Sequence, residues 1–308
     1  MPIRVLVTGG AGFVGSHIVD RLVEHGEEVL VVDDLSSGKA EHVNPKAKLQ
    51  ELDIRDRRMT TVARSFRPHA LVHCAAQKSV PASVADPKND ADINIIGGLN
   101  VARAAIDSGC AQFSYVTTGG ALYGEPDYLP CDEDHPIRPI SAYGLSKWTF
   151  EMYARILLAS FMQLNVLRLA NVYGPRQDPD GEAGVVAIFS KRMLRGQPIT
   201  IHGDGEQTRD FIYAADVARA CEMAQLGETP VTINVGSGVG TSINDLVQAM
   251  SKETYYALLP AHDDEQAGDV KQIYLDNSRA RRLIGWVPQT FLEDGLRQTL
   301  AWFGLQEK

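Results

Sequence analysis

The chain has 308 residues, 44% of them hydrophobic and 22% charged, which suits a soluble globular protein with one large core or two unequal lobes. Its formal net charge of −9 argues against a nucleic-acid partner, which needs a basic face, but leaves room for a small anionic ligand held by local donors. No run reaches the about 18 apolar residues of a membrane span, and no hydrophobic leader is read at the start. Cys74, Cys110, Cys131 and Cys221 are widely spaced, so neither a metal site nor a disulfide framework is expected, and the thiols read as reduced in a cytoplasmic protein.

In chain order, Arg4–Thr8 is a short β-rich run ending at glycines, and it predicts a buried parallel strand. A helix follows over Ser16–His25, with Ile18, Val19, Leu22 and Val23 at helical spacing and Gly26 as its stop. Glu28–Asp33, Lys48–Leu52, Leu71–Cys74, Phe113–Val116 and Val166–Leu169 read as further strands. Asp56–Phe66, Asp90–Asp107 and Tyr143–Phe161 read as the helices between them. This alternation predicts an α/β fold built on a doubly wound parallel sheet. Beyond about residue 170 the texture changes to Gly- and Pro-rich loops and shorter helices (Ala214–Gln225, Ile243–Met250, Ser278–Ile284). We therefore place a nucleotide-binding domain over 1–170 and a smaller substrate-binding lobe over 171–308, with segments near 208–240 returning to the first.

Thr8-Gly9-Gly10-Ala11-Gly12-Phe13-Val14-Gly15 joins the first strand to the first helix. Glycine at 9 permits a sharp turn, at 12 a close approach of backbone N–H groups to a pyrophosphate, and at 15 tight packing of helix on strand. The helix start then offers unpaired N–H groups to the phosphates. Asp33, at the end of the second strand, is placed to accept from the ribose hydroxyls of an adenosine and to repel a 2′-phosphate, favouring NAD over NADP. Asp53 and Ile54, after the third strand, are placed to hold the adenine edge and face.

Tyr143 and Lys147 stand four residues apart at a helix start, so one helix face presents both a phenol and an ammonium. With the cationic nicotinamide beside it, Lys147 is expected to favour the phenolate and make Tyr143 a general base. Thr118, and less directly Thr117, offer a hydroxyl at the end of the fifth strand.

With these features in place, the chain is identified as a member of the extended short-chain dehydrogenase/reductase family. It is most similar to the UDP-glucose (UDP-galactose) 4-epimerases and related NDP-sugar epimerases. The resemblance spans residues 3 to about 303. It is carried by Thr8–His17 (TGGAGFVGSH), Asp34–Lys39 (DLSSGK), His73–Gln77 (HCAAQ), Thr117–Glu125 (TTGGALYGE), Ser141–Lys147 (SAYGLSK), Leu167–Gln177 (LRLANVYGPRQ), Thr208–Ala218 (TRDFIYAADVA) and Gly268–Val270 (GDV). It implies a Rossmann-type sheet, a tightly held NAD and reversible inversion at C4 of a UDP-sugar through a 4-keto intermediate.

Residue by residue, the resemblance places Phe13, Val14, Asp34, Leu35, Ser36, Ser37, Gly38, Lys39, Ala75, Ala76, Gln77 and Asn94 around NAD, with Lys147 on the nicotinamide ribose. It places Thr118, Asn171, Val186, Ile201, His202, Arg209 and Asp269 around the UDP-sugar. Many relatives carry a catalytic serine where this chain has Gly119, and often an arginine where it has Gln266; Ile273 stands where some have a bulky tyrosine near the sugar. A UDP-glucuronate or UDP-GlcNAc 4-epimerase is the nearest alternative reading. An NDP-sugar dehydratase and a non-catalytic NAD-binding scaffold are weaker ones. Apolar residues on more than one face of 90–107 and 143–161 predict a homodimer.

Overall fold

The computed structural model describes residues 2–180, 184–264 and 270–306. Six parallel strands come from residues 4–169: β1 (Arg4–Thr8), β2 (Glu28–Asp33), β3 (Lys48–Glu51), β4 (Ala70–His73), β5 (Gln112–Thr118) and β6 (Gln163–Leu169). Three strands follow outside that sheet, β7 (Asn171–Tyr173), β8 (Thr200–His202) and β9 (Thr208–Tyr213), before β10 (Thr232–Val235) returns to pair with β6. The sheet order is β10-β6-β5-β4-β1-β2-β3. The chain winds one way from β1 to β3 and the other way from β4 to β10. The switch between β1 and β4 opens a crevice at the strands' carboxyl ends, where open α/β sheets bind ligands.

The crossovers are α1 (Phe13–Glu24), α2 (Arg58–Phe66), a segment of short helices α3 (Val80–Ala85) and α4 (Pro87–Ala91), then α5 (Gly98–Asp107) and α6 (Ala142–Leu158). Alternate side chains of β1 feed opposite faces. Val5 and Val7 pack with Ile18, Val19 and Leu22 of α1, whereas Leu6 packs with Met59, Val101 and Phe150 from α2, α5 and α6. The helix expected over 90–107 contains a π-helical stretch, Asp92–Gly97. Such a bulge commonly marks a functional position. Here it contains Asn94, whose side chain bonds to Gln77, Asp90 and Ser146.

The rest of the chain adds α7 (Val185–Leu194), α8 (Ala214–Leu226), β11 (Gly240–Ser242), α9 (Ile243–Thr254), β12 (Ala261–Asp263), β13 (Gln272–Ile273), α10 (Ser278–Ile284) and α11 (Leu292–Gln306). α8 packs on α1 and β10 extends the first sheet, so this stretch rejoins the nucleotide-binding layer. β9 itself heads a small sheet with β7, β11 and β13. A third core, including Tyr173, Val186, Phe189, Ile201, Phe211, Leu246 and Leu296, sits under it. Among the described residues no helix is long and apolar enough to cross a membrane.

Candidate active site

A cavity of about 530 Å³ occupies the crevice at the switch point. Its floor is the glycine loop. Gly9 holds φ +71°, and a Cβ there would sit 2.5 Å from the Ala75 nitrogen; a Cβ on Gly15 would sit 2.1 Å from the Gly9 carbonyl oxygen. Any side chain at 9 or 15 would therefore wedge the loop off β4 or off itself. Gly12 caps α1 without a side-chain acceptor, and the first turn carries no acid. The helix thus leaves N–H groups and its positive end toward the cavity, the arrangement that binds phosphate.

Asp33 closes one end. Its Oδ2 accepts from the Ala11 N–H (2.9 Å) and its Oδ1 from the Leu35 N–H (2.9 Å). Burial raises its carboxyl above the ordinary value of 3.8, opposed by those two hydrogen bonds. Leu35, at φ +57°, supplies that N–H and lies outside the cavity lining, as do Lys39 and Asn94. The other residues assigned to NAD from sequence line the cavity: Gly9, Gly12, Phe13, Val14, Gly15, Asp33, Asp34, Ser36, Ser37, Gly38, Asp53, Ile54, Ala75, Ala76, Gln77, Tyr143 and Lys147. Asp53 pairs with Arg55 (2.6 Å), a wall residue that the sequence reading passed over. Gln177 and Asp178, from the loop after β7, also reach this wall and were missed, although Gln177 closes the LANVYGPRQ motif.

Tyr143 and Lys147 enter from α6, whose start is fixed by the Ser141 hydroxyl accepting from the Gly144 N–H (3.1 Å). Lys147 is buried. Its Nζ donates to the Val116 carbonyl (3.2 Å) and lies 4.7 Å from the centre of the Tyr115 ring, a cation–π contact. Burial lowers its ammonium to about 8, so it stays mostly charged at neutral pH. The phenol of Tyr143 is pushed up to about 12, first by burial and then by the charge of Asp90. In the protein alone, desolvation of the phenolate is the larger effect, whereas the expectation from sequence concerned the pair with a cationic nicotinamide beside it.

Both threonines line the cavity near this pair. The Thr118 Oγ1 accepts from the Ala121 N–H (3.1 Å), which caps the turn after β5. The Thr117 Oγ1 is buried and has no hydrogen-bond partner among the described residues. Gly119 is spatially constrained, since a Cβ there would lie 2.6 Å from Leu275 Cδ1. A serine at 119 would need Leu275 to move, which leaves the two threonines as the local hydroxyls.

Of the residues assigned to the substrate, Thr118 lines this cavity; Asn171, Val186, Ile201, His202 and Arg209 do not. Asn171 is exposed at the start of β7, and Arg209 is half-buried on β9, where its Nη1 donates to the Thr208 carbonyl (2.9 Å). β7 and β9 are paired, so both belong to one small sheet. The side chains of Val186 and Ile201 are taken up by the third core, and His202 is exposed at the end of β8. Ile273 is buried against Val270 and Leu275 rather than facing the cavity. Asp269 and Gln266 lie outside the described residues. Among the described residues no group of His, Cys, Asp and Glu side chains could hold a metal ion.

Residues 5–236 match the family model described as the NAD dependent epimerase/dehydratase family. The chain is 40% identical to the UDP-glucose 4-epimerase of Mycolicibacterium smegmatis, with 97% of this chain and 98% of that protein covered. It superposes with a TM-score of 0.97 on a UDP-glucose 4-epimerase of Thermotoga maritima crystallised with UDP-glucose, at 44% identity, covering 99% of this chain and 100% of the other. A Thermus thermophilus UDP-glucose 4-epimerase in complex with NAD gives a TM-score of 0.92 at 40% identity, covering 98% and 99%.

Proposed function

This chain belongs to the NAD-dependent epimerase/dehydratase family, and from that premise we propose that it is an NAD-dependent epimerase inverting C4 of a UDP-sugar of the UDP-glucose/UDP-galactose type. The observation that carries the reading is one shared cavity. The phosphate-binding glycines, Asp33 and the Tyr143–Lys147 pair all open into it.

The residues fit NAD: a side chain at 9 or 15 would fill the cradle, the first turn of α1 is free of side-chain caps, and Asp33 is held by two backbone donors where a ribose diol would bind. When bound, NAD supplies a reversible acceptor for the C4 hydride and a positive charge that favours the phenolate. Tyr143 takes the proton of the sugar O4–H and returns it once the sugar has turned its other face. Lys147 holds the nicotinamide ribose and, by its charge, stabilises the phenolate. Thr118 or Thr117 supplies the hydroxyl that bonds the same oxygen.

A sugar that must pivot has to be anchored by its nucleotide. Asn171 and Arg209, with Asp269, are the proposed anchors, and a guanidinium suits a diphosphate. Val186, Ile201 and His202 border the same lobe. Exposed apolar residues on α6, namely Leu145, Met152, Tyr153 and Ile156, continued by Ile96, support pairing of two copies across this helix.

The test is NMR of UDP-galactose incubated with purified protein and no added cofactor. UDP-glucose should accumulate to an equilibrium mixture. Unchanged UDP-galactose, from protein shown to carry NAD, would end the proposal.

A further inference from the structure

Asp90 is a carboxyl group that no step above uses. It lies in α4 at 1% exposure. Its Oδ1 accepts from Gln77 Nε2 (2.7 Å) and Asn94 Nδ2 (3.1 Å), while its Oδ2 is buried with no hydrogen-bond partner among the described residues. Two N–H donors thus converge on one oxygen. A buried oxygen left bare is costly and calls for a reason.

Both donors lead to the active site. Gln77 lines the cavity. Asn94 also donates to Ser146 Oγ (3.0 Å), and that hydroxyl donates to the Tyr143 carbonyl (3.0 Å). A second tie runs from the Tyr143 N–H to Ser83 Oγ (3.0 Å) in α3. The α3–α4 corner is thereby docked on the first turn of α6.

We propose that Asp90 is a positioning residue: through Asn94 and Ser146 it fixes the first turn of α6, and it sets a buried carboxyl group behind the Tyr143–Lys147 pair. The inference rests on the reading of that pair as the acid–base group. The groups that face the pair can be named. Tyr143 is faced by Asp90 from α4, by Tyr115 from β5 and by Lys147 from its own helix; Lys147 is faced by His73 and Cys74 from the β4 end, by Tyr115 and by Asp90. Asp90 is the carboxylate among them. It opposes ionisation of the phenol and favours the ammonium, so it moves both groups in one direction, upward. Removing the charge should therefore shift both limbs of the activity profile together.

Asp90→Asn keeps an acceptor for Gln77 and Asn94 and deletes the charge. In the NAD-loaded enzyme, the pH profile of kcat on UDP-galactose is expected to move as a whole to lower pH by about one unit, the scale of one charge acting across a few ångströms of protein. Ultraviolet difference titration of the full chain against Tyr143→Phe should show the Tyr143 phenolate forming at a correspondingly lower pH. That titration needs no turnover, so it separates failure of this inference from failure of the epimerase reading. Ser146→Ala cuts the hydrogen-bond path but keeps the charge, and should lower kcat while leaving both midpoints in place. If Asp90→Asn does not fold, Asp90→Ser carries the same expectation. A profile reduced in height but not displaced, with an unmoved phenolate titration, overturns the proposal.

Discussion

At the residue scale, the proposed chemistry rests on one phenol. Tyr143 is pushed to about 12 by burial, so the proposed role as a base at neutral pH depends on positive charge brought into the cavity. Tyr143→Phe leaves the cavity shape intact and removes the proposed proton carrier. Epimerisation followed by NMR should fall by roughly three orders of magnitude, within the range general acid–base groups contribute, while bound NAD is retained. Two buried histidines yield a separate prediction. Burial lowers His73 to about 3 and His17 to about 4, against an ordinary value of 6.5. The folded state therefore binds fewer protons than the unfolded state over that window. Stability should be full above about pH 6.5 and decline as pH falls toward 4. Urea midpoints measured across that interval check it, and a flat series would contradict it.

At the element scale, the strand–loop–helix unit β1–α1 is the part with least tolerance. The Gly15 position would bring a Cβ to 2.1 Å from a backbone oxygen of its own loop, and backbone cannot swing aside as a long side chain can. Gly15→Ala should yield folded protein with NAD content reduced at least tenfold, read by absorbance of the released nucleotide. Full NAD content would show that the loop has slack the geometry denies. α6 is held differently. Glu151, two turns beyond Tyr143, is buried and ion-paired with buried Arg168 of β6 (2.8 Å). α6 is thus pinned to the sheet at its middle by that pair and held at its start by Ser141, Ser83 and Ser146.

At the scale of the whole molecule, one large sheet carries the cofactor cleft, and a small sheet of β7, β9, β11 and β13 carries the proposed anchors Asn171 and Arg209. α6 has one face in the core, with Phe150, Ala154 and Leu158 fully buried, and an outer face where Ile156 is 74% exposed and Leu145 54%. Such a stripe is costly against water and suits a second copy of the chain. The proposed pairing across α6 predicts that Ile156→Glu runs as a monomer by light scattering where the parent runs as a dimer, with the circular dichroism spectrum unchanged. A parent protein already monomeric at micromolar concentration would dispose of the dimer.

What the sequence by itself determined is local in origin. The glycine spacing, Asp33 at a strand end and Tyr143–Lys147 at i, i+4 each encode their geometry within a few bonds, and the alternation of strand and helix encodes the winding of the sheet. Several elements escaped the reading, among them α7, α11 and the short strands β7 to β13, and α7, α11 and β7 to β9 share one core with α9. Only the tertiary structure decided which hydroxyl is already engaged after β5, that Leu275 crowds Gly119, and that Val186, Ile201 and Ile273 spend their side chains in cores. It alone placed Asp90 behind Tyr143 and Lys147, linked through Asn94 and Ser146. Such facts depend on which distant residues share a volume, and the desolvation that pushes the Tyr143 phenol up exists only once that volume has closed.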